Sequence, residues 1–79
     1  MKYRKKPVII EAIKWKGKNF LEISSWMEKR PTWTRDNYLE IETLEGNHWV
    51  KKGDWIVKGI KGEFYPVKPD IFELTYEKV

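Results

Sequence analysis

From Glu45 onward the chain meets a turn signal roughly every eight residues: Glu45-Gly46-Asn47, Lys52-Gly53-Asp54, Gly59-Ile60-Lys61-Gly62 and Lys68-Pro69-Asp70. The segments between these signals are too short for helices, which typically need ~10–12 residues, but suit strands. Tyr38–Leu44, His48–Lys51, Trp55–Lys58 and Glu63–Val67 are therefore predicted as four strands in a meander. The first of them alternates, with Leu39 and Ile41 directed one way and Tyr38, Glu40 and Glu42 the other. Beyond the last turn, Pro69 and Asp70 suit the start of a single helical turn at Ile71–Phe72, and Leu74–Lys78 reads as a final strand.

The first half follows a different pattern. Val8–Trp15 is apolar on both faces, with Val8, Ile10 and Ala12 opposing Ile9, Ile13 and Trp15, as in a strand covered on both sides. After Lys16-Gly17-Lys18, Asn19 and Glu22 form an N-x-x-E pattern at a helix start. Phe20, Ile23 and Met27 fall at helical spacing, and Pro31 stops the run, so one amphipathic helix is expected from residue 20 to 29. About three turns are not stable alone in water, so this helix must lie on the sheet. The expected fold is α+β: a small, mostly antiparallel sheet of five to six strands with one helix packed on it. The whole chain, 1–79, reads as one domain, with a β-meander over 38–78.

Composition sets limits on chemistry. With 79 residues a domain hides only roughly 60% of its unfolded surface. The five Trp, four Tyr and three Phe supply the bulk that such a core needs. The absence of cysteine excludes disulfides, thiol nucleophiles and Cys-based zinc sites. Four of the 16 basic residues, Lys2, Arg4, Lys5 and Lys6, lie in an arm over residues 1–6. The other 12 are matched by 12 acidic residues, so the body is neutral and the arm carries the excess. Such an arm suits phosphate or nucleic-acid contact, or keeps a strand edge soluble. The charged start leaves no apolar stretch for a secretory signal or a membrane span, so a cytoplasmic location is expected.

Catalytic signatures are weak. His48 is the only histidine and has no serine near it in sequence, while Asp54, Glu63, Asp70 and Glu73 make no compelling carboxylate pair. No catalytic residue, metal site or cofactor is assigned, and an enzyme is not expected. The Gly59–Gly62 stretch has a G-x-x-G form, but its strand-like flanks differ from the helices around a KH loop. A glycine-rich hairpin carrying Lys58 and Lys61 can still offer amides and positive charge to an anion. Trp33 lies in a polar loop between Arg30 and Arg35, where it either stacks on a ligand or folds back over the core. Tyr65 and Pro66 form the other candidate surface.

The opening Tyr3-Arg4-Lys5-Lys6-Pro7-Val8, followed by Glu11-Ala12 and Trp15, resembles the start of a family of small proteins encoded by phages and prophages of bacteria. Leu44-Glu45-Gly46, the run Gly53-Asp54-Trp55-Ile56-Val57-Lys58-Gly59, Lys61-Gly62-Glu63-Phe64-Tyr65-Pro66, Lys68-Pro69-Asp70-Ile71-Phe72-Glu73 and Thr75-Tyr76-Glu77 are similar to its later part. Residues 24–37 lie outside the resemblance. Relatives often carry Cys where this chain has Val67, so no redox or metal role carries over to that position. The resemblance implies an intracellular accessory protein that disarms or redirects a host component by binding. By analogy of type with other small β-rich phage proteins, it suggests a homo-oligomer that sequesters a nucleotide-like anion in countering host defence. Trp33, Arg35, Lys58, Lys61 and Tyr65 are the candidate contacts for that ligand. Two alternatives stand beside it: an inhibitor or adaptor of a host protein, acting through a sheet edge or the Trp33 loop, and a nucleic-acid binder led by Lys2, Arg4, Lys5 and Lys6.

Overall fold

The computed structural model describes residues 1–4 and 7–79. Six short strands and two helices follow one another: β1 (Glu11–Lys14), α1 (Phe20–Met27), β2 (Thr32–Trp33), β3 (Leu39–Thr43), β4 (Gly46–Val50), β5 (Trp55–Lys58), β6 (Phe64–Val67) and α2 (Pro69–Thr75). All pairings are antiparallel. The architecture is α+β and mostly β, as the turn spacing predicts. The strands divide into two three-stranded sheets, in the orders β1-β5-β6 and β2-β3-β4, where the sequence suggests one.

Both sheets and α1 contribute to one core. Trp15, Phe20, Ile23, Met27, Leu39, Ile41, Val50 and Ile56 form its buried cluster, with Ile13, Trp26 and Phe64 packed against it. Leu39 and Ile41 point inward as the alternation predicts, because a strand presents every second residue to one face. Phe20, Ile23 and Met27 are the buried stripe of α1.

A corner between the sheets holds Trp15 in place. The Trp15 amide donates to the Asp54 carbonyl at 2.9 Å and the Gly53 amide donates to the Trp15 carbonyl at 2.7 Å. The indole Nε1 donates to the Asn37 carbonyl at 2.6 Å. Asp54 is the one buried charged residue among those described; its Oδ2 accepts from the Lys51 amide at 3.0 Å and from Lys68 Nζ at 3.3 Å. Trp55, next in the chain, stacks on Phe72 of α2 at 4.0 Å between ring centroids.

Several expectations are corrected. The strand predicted over Val8–Trp15 is confined to Glu11–Lys14, because its partner β5 ends at Lys58, opposite Glu11, leaving earlier residues nothing to pair with. α1 ends at Met27 and not at residue 29: Glu28 caps it in the left-handed region at φ 64°. Asn19 does not cap α1 with its side chain. Its Oδ1 accepts from the Lys16 amide and its Nδ2 donates to the Lys14 carbonyl and to Glu22 Oε1, each at 2.9 Å, so it fastens the β1–α1 turn. The predicted last strand, Leu74–Lys78, is absent and the single turn at Ile71–Phe72 is replaced by α2, with Pro69 in its first turn. The rings explain this change, since Phe72 stacks on Trp55 while Tyr76 packs on Phe72 at 5.0 Å, an i,i+4 spacing available to a helix.

Candidate groove between the β3–β4 and β5–β6 hairpins

β4 and β6 end their respective sheets, and an open groove lies between the hairpins to which they belong. One wall is the β3–β4 turn. Thr43 pairs with Gly46, so the turn residues are Leu44 and Glu45, one position earlier than the sequence suggests. Thr43 Oγ1 donates to the Gly46 carbonyl at 2.7 Å and accepts from the Glu45 amide at 3.1 Å. Gly46 takes φ +107°, which a side chain would resist, and this lets Leu44 stand outward with 82% of its surface exposed.

The facing wall is β6 and the turn before it. The Gly59 amide donates to the Glu63 carbonyl at 2.7 Å, and the Gly62 amide donates to the Gly59 carbonyl at 3.0 Å. The Glu63 side chain folds over Gly59 and occupies the place where a Cβ would stand. Phe64 is braced edge-to-face against Trp26 at 5.2 Å, and the Trp26 Nε1 donates to Glu11 Oε1 at 2.9 Å.

Between these walls lie two adjoining hollows of ≈ 310 and ≈ 410 Å³ that share Thr43, Leu44, Glu63 and Phe64. The first continues to Met27, Glu28, Lys29 and Glu42, and the second to Glu45, His48, Tyr65 and Pro66. Apolar side chains thus alternate with a rim of four carboxylates, Glu28, Glu42, Glu45 and Glu63. Lys29 Nζ lies 2.8 Å from Glu42, an exposed pair of small energetic value. The rim is acidic.

Tyr65 contributes a neutral hydroxyl to this surface. Its hydrogen bond with the Tyr76 hydroxyl at 3.5 Å, followed by partial burial and the nearby charges of Tyr76 and Glu63, raises its pKa to about 12. It therefore stays protonated at neutral pH, able to donate a hydrogen bond but unsuited to act as a base.

The five predicted ligand contacts fall into two groups. Lys58, Lys61 and Tyr65 share the β5–β6 hairpin: Lys58 lies over the Phe64 ring at 5.9 Å, Lys61 is exposed in the turn, and Tyr65 lines the second hollow. Trp33 lies in β2, a two-residue strand where the sequence suggests a loop, because it pairs with Leu39 of β3; Arg35 follows in the β2–β3 connection. Trp33 pairs with Leu39, ~13 Å along β3 from Thr43 at the groove. Trp33 folds back over the core, stacking on Phe20 at 5.3 Å and meeting Trp15 edge-on at 5.4 Å, with its Nε1 donating to Asn37 Oδ1 at 3.1 Å. Arg35 is exposed. In the basic arm, Lys2 and Arg4 are exposed, while Lys5 and Lys6 lie outside the described residues.

Sequence reasoning missed Leu44, Glu45 and His48 as groove residues. The signal for Leu44 was its place beside Glu45-Gly46, where a one-residue shift of the turn moves it from strand to tip. Trp49 was also passed over; it is 56% exposed and meets Tyr38 edge-on at 6.1 Å outside the core. Among the described residues no three His, Cys, Asp or Glu side chains cluster as metal ligands, and no helix is long and apolar enough to cross a membrane.

Comparison with protein-family models, with curated proteins and with solved structures finds no match for this chain.

Proposed function

We propose that this protein works by binding an extended polypeptide segment along the open edge of β4, beside the groove next to β6, as an inhibitor or adaptor of another protein. The observation that carries this reading is the character of β4. Natural edge strands are blunted by shortness, charge or proline. β2 has only two residues, β1 carries Glu11 and Lys14, and β6 contains Pro66. β4, by contrast, is five residues long, Gly-Asn-His-Trp-Val, with neither lysine nor proline, and is paired on one side only, by β3. An added strand there gains main-chain hydrogen bonds, while Leu44, Phe64 and Pro66 offer apolar contacts for alternate side chains.

A nucleotide-like anion finds less support. Its candidate rings, Trp33 and Tyr65, stand on different sheets, and carboxylates border the hollows. The phage or prophage setting implied by the sequence resemblance, with action on a host component inside the cell, suits a polypeptide binder equally well.

The test is amide NMR on the full chain against peptides selected from a random display library, with cyclic nucleotides in parallel. Peptide-induced protection of amides 46–50 is the expected result. Shifts confined to Lys58, Lys61 and Tyr65 on adding nucleotide, without any peptide effect at β4, would overturn the reading in favour of anion capture.

A further inference from the structure

We propose that the segment received by the groove is the basic arm of a second copy of this chain, exchanged reciprocally in a two-fold dimer. This rests on the groove reading above: the second copy's arm is the resident occupant, with which a segment of another protein competes. The first support is charge. The arm carries Lys2, Arg4, Lys5 and Lys6 and the body is otherwise balanced, while the groove lining gathers Glu28, Glu42, Glu45 and Glu63 against Lys29, with Lys58 over the Phe64 ring. The stretch that follows the arm also has apolar residues to bury: Val8 and Ile9 are 47% and 80% exposed, and Leu44 at the groove is 82% exposed.

The second support is position. Glu11, Lys58 and Phe64 lie in one row across β1, β5 and β6, so the arm leaves its sheet two strand spacings, ~10 Å, from the ring that both hollows share. Arm and groove therefore open at the same end of the molecule. Read backwards from Glu11, the chain continues past the β5–β6 turn. Pro7 and the β-branched run Val8-Ile9-Ile10 favour an extended path over a reversal into the chain's own groove. Among the described residues, none of 1–4 or 7–10 lines either hollow. A two-fold axis at this end makes each arm an extension toward the other copy's groove, and an isologous contact of this kind closes at two subunits.

Sedimentation of the full chain with charge reversals tests this. One variant carries Lys2→Glu, Arg4→Glu, Lys5→Glu and Lys6→Glu in the arm; the other carries Glu28→Lys and Glu45→Lys in the groove. The native chain is expected to sediment as a dimer that loosens with salt, and each variant alone to dimerise at least ~10-fold more weakly. An equimolar mixture of the two variants is expected to restore the dimer, because the acidic arm then meets a basic groove and the basic arm an acidic one. The chain carrying all six substitutions is expected to self-associate again, which separates charge pairing from misfolding. A native chain that stays monomeric, a dimer indifferent to the reversals, or a mixture that fails to reassociate overturns the inference. If peptides still protect amides 46–50 in that case, the groove reading survives and only the partner is wrong; if no peptide does, both fall.

Discussion

The two ends of the β5 strand contrast. At its start, Gly53, Asp54 and Trp55 are occupied with one another, with Trp15, with Lys68 and with Phe72: amides, carboxylate and rings all have partners inside the fold. Past its end, the β5–β6 turn and the β3–β4 turn opposite leave Leu44, Glu45 and Lys61 exposed. Gly53-Asp54-Trp55, part of a run that carries the sequence resemblance, is thus engaged in holding the fold. The unremarkable Leu44-Glu45 is available for recognition. Buried and mutually satisfied groups stabilise a fold, whereas recognition needs groups whose interactions are still to be made.

This contrast can be broken or sharpened by substitution. Trp15→Ala carries the largest expected effect, a loss of ~3–5 kcal/mol in urea unfolding, because a fully buried ring leaves a cavity and strands the Asn37 carbonyl that its Nε1 satisfies. Asp54→Ala follows at ~1–3 kcal/mol by the same measurement, since it leaves the part-buried Lys51 amide without its acceptor. A change below ~0.5 kcal/mol would mean that the corner is not held by Asp54. On the groove side the sign reverses. Glu28→Gly is expected to raise stability by ~1 kcal/mol, because glycine relieves the left-handed backbone at φ 64°.

The smallest effect belongs to Tyr65→Phe and appears only in alkali. The folded-state pKa of Tyr65 is about 12 against 10.0 for an unperturbed tyrosine, so unfolding releases a proton more readily above pH 10. Its contribution is intact below pH 10 and lost as pH rises towards about 12. Native stability should therefore fall more steeply over that window than that of Tyr65→Phe, measured by denaturant midpoints. Parallel curves would remove Tyr65 from the Tyr76 contact.

Legibility in the sequence followed the same division. The alternation of Leu39 and Ile41 and the stripe Phe20, Ile23, Met27 announced the core, because burial imposes a period on residue types. The choice between the two readings of Trp33 was not legible: whether a loop indole stacks on Phe20 depends on where α1 and β3 lie. The groove was hidden for a related reason. It arises between two hairpins that are each local in sequence, but whose proximity is not.

The sequence by itself determined the class of fold, the four short strands between Tyr38 and Val67, the helix at Phe20 and the concentration of positive charge before Pro7. These depend on local turn chemistry, hydrophobic period and simple counting. The tertiary structure alone decided that the strands part into two sheets, that Leu74–Thr75 coil into a helix and that four separated glutamates gather around one groove. Each of those outcomes is a long-range packing choice, such as Phe72 against Trp55, in which the burial of distant partners outweighs the preference of the segment itself.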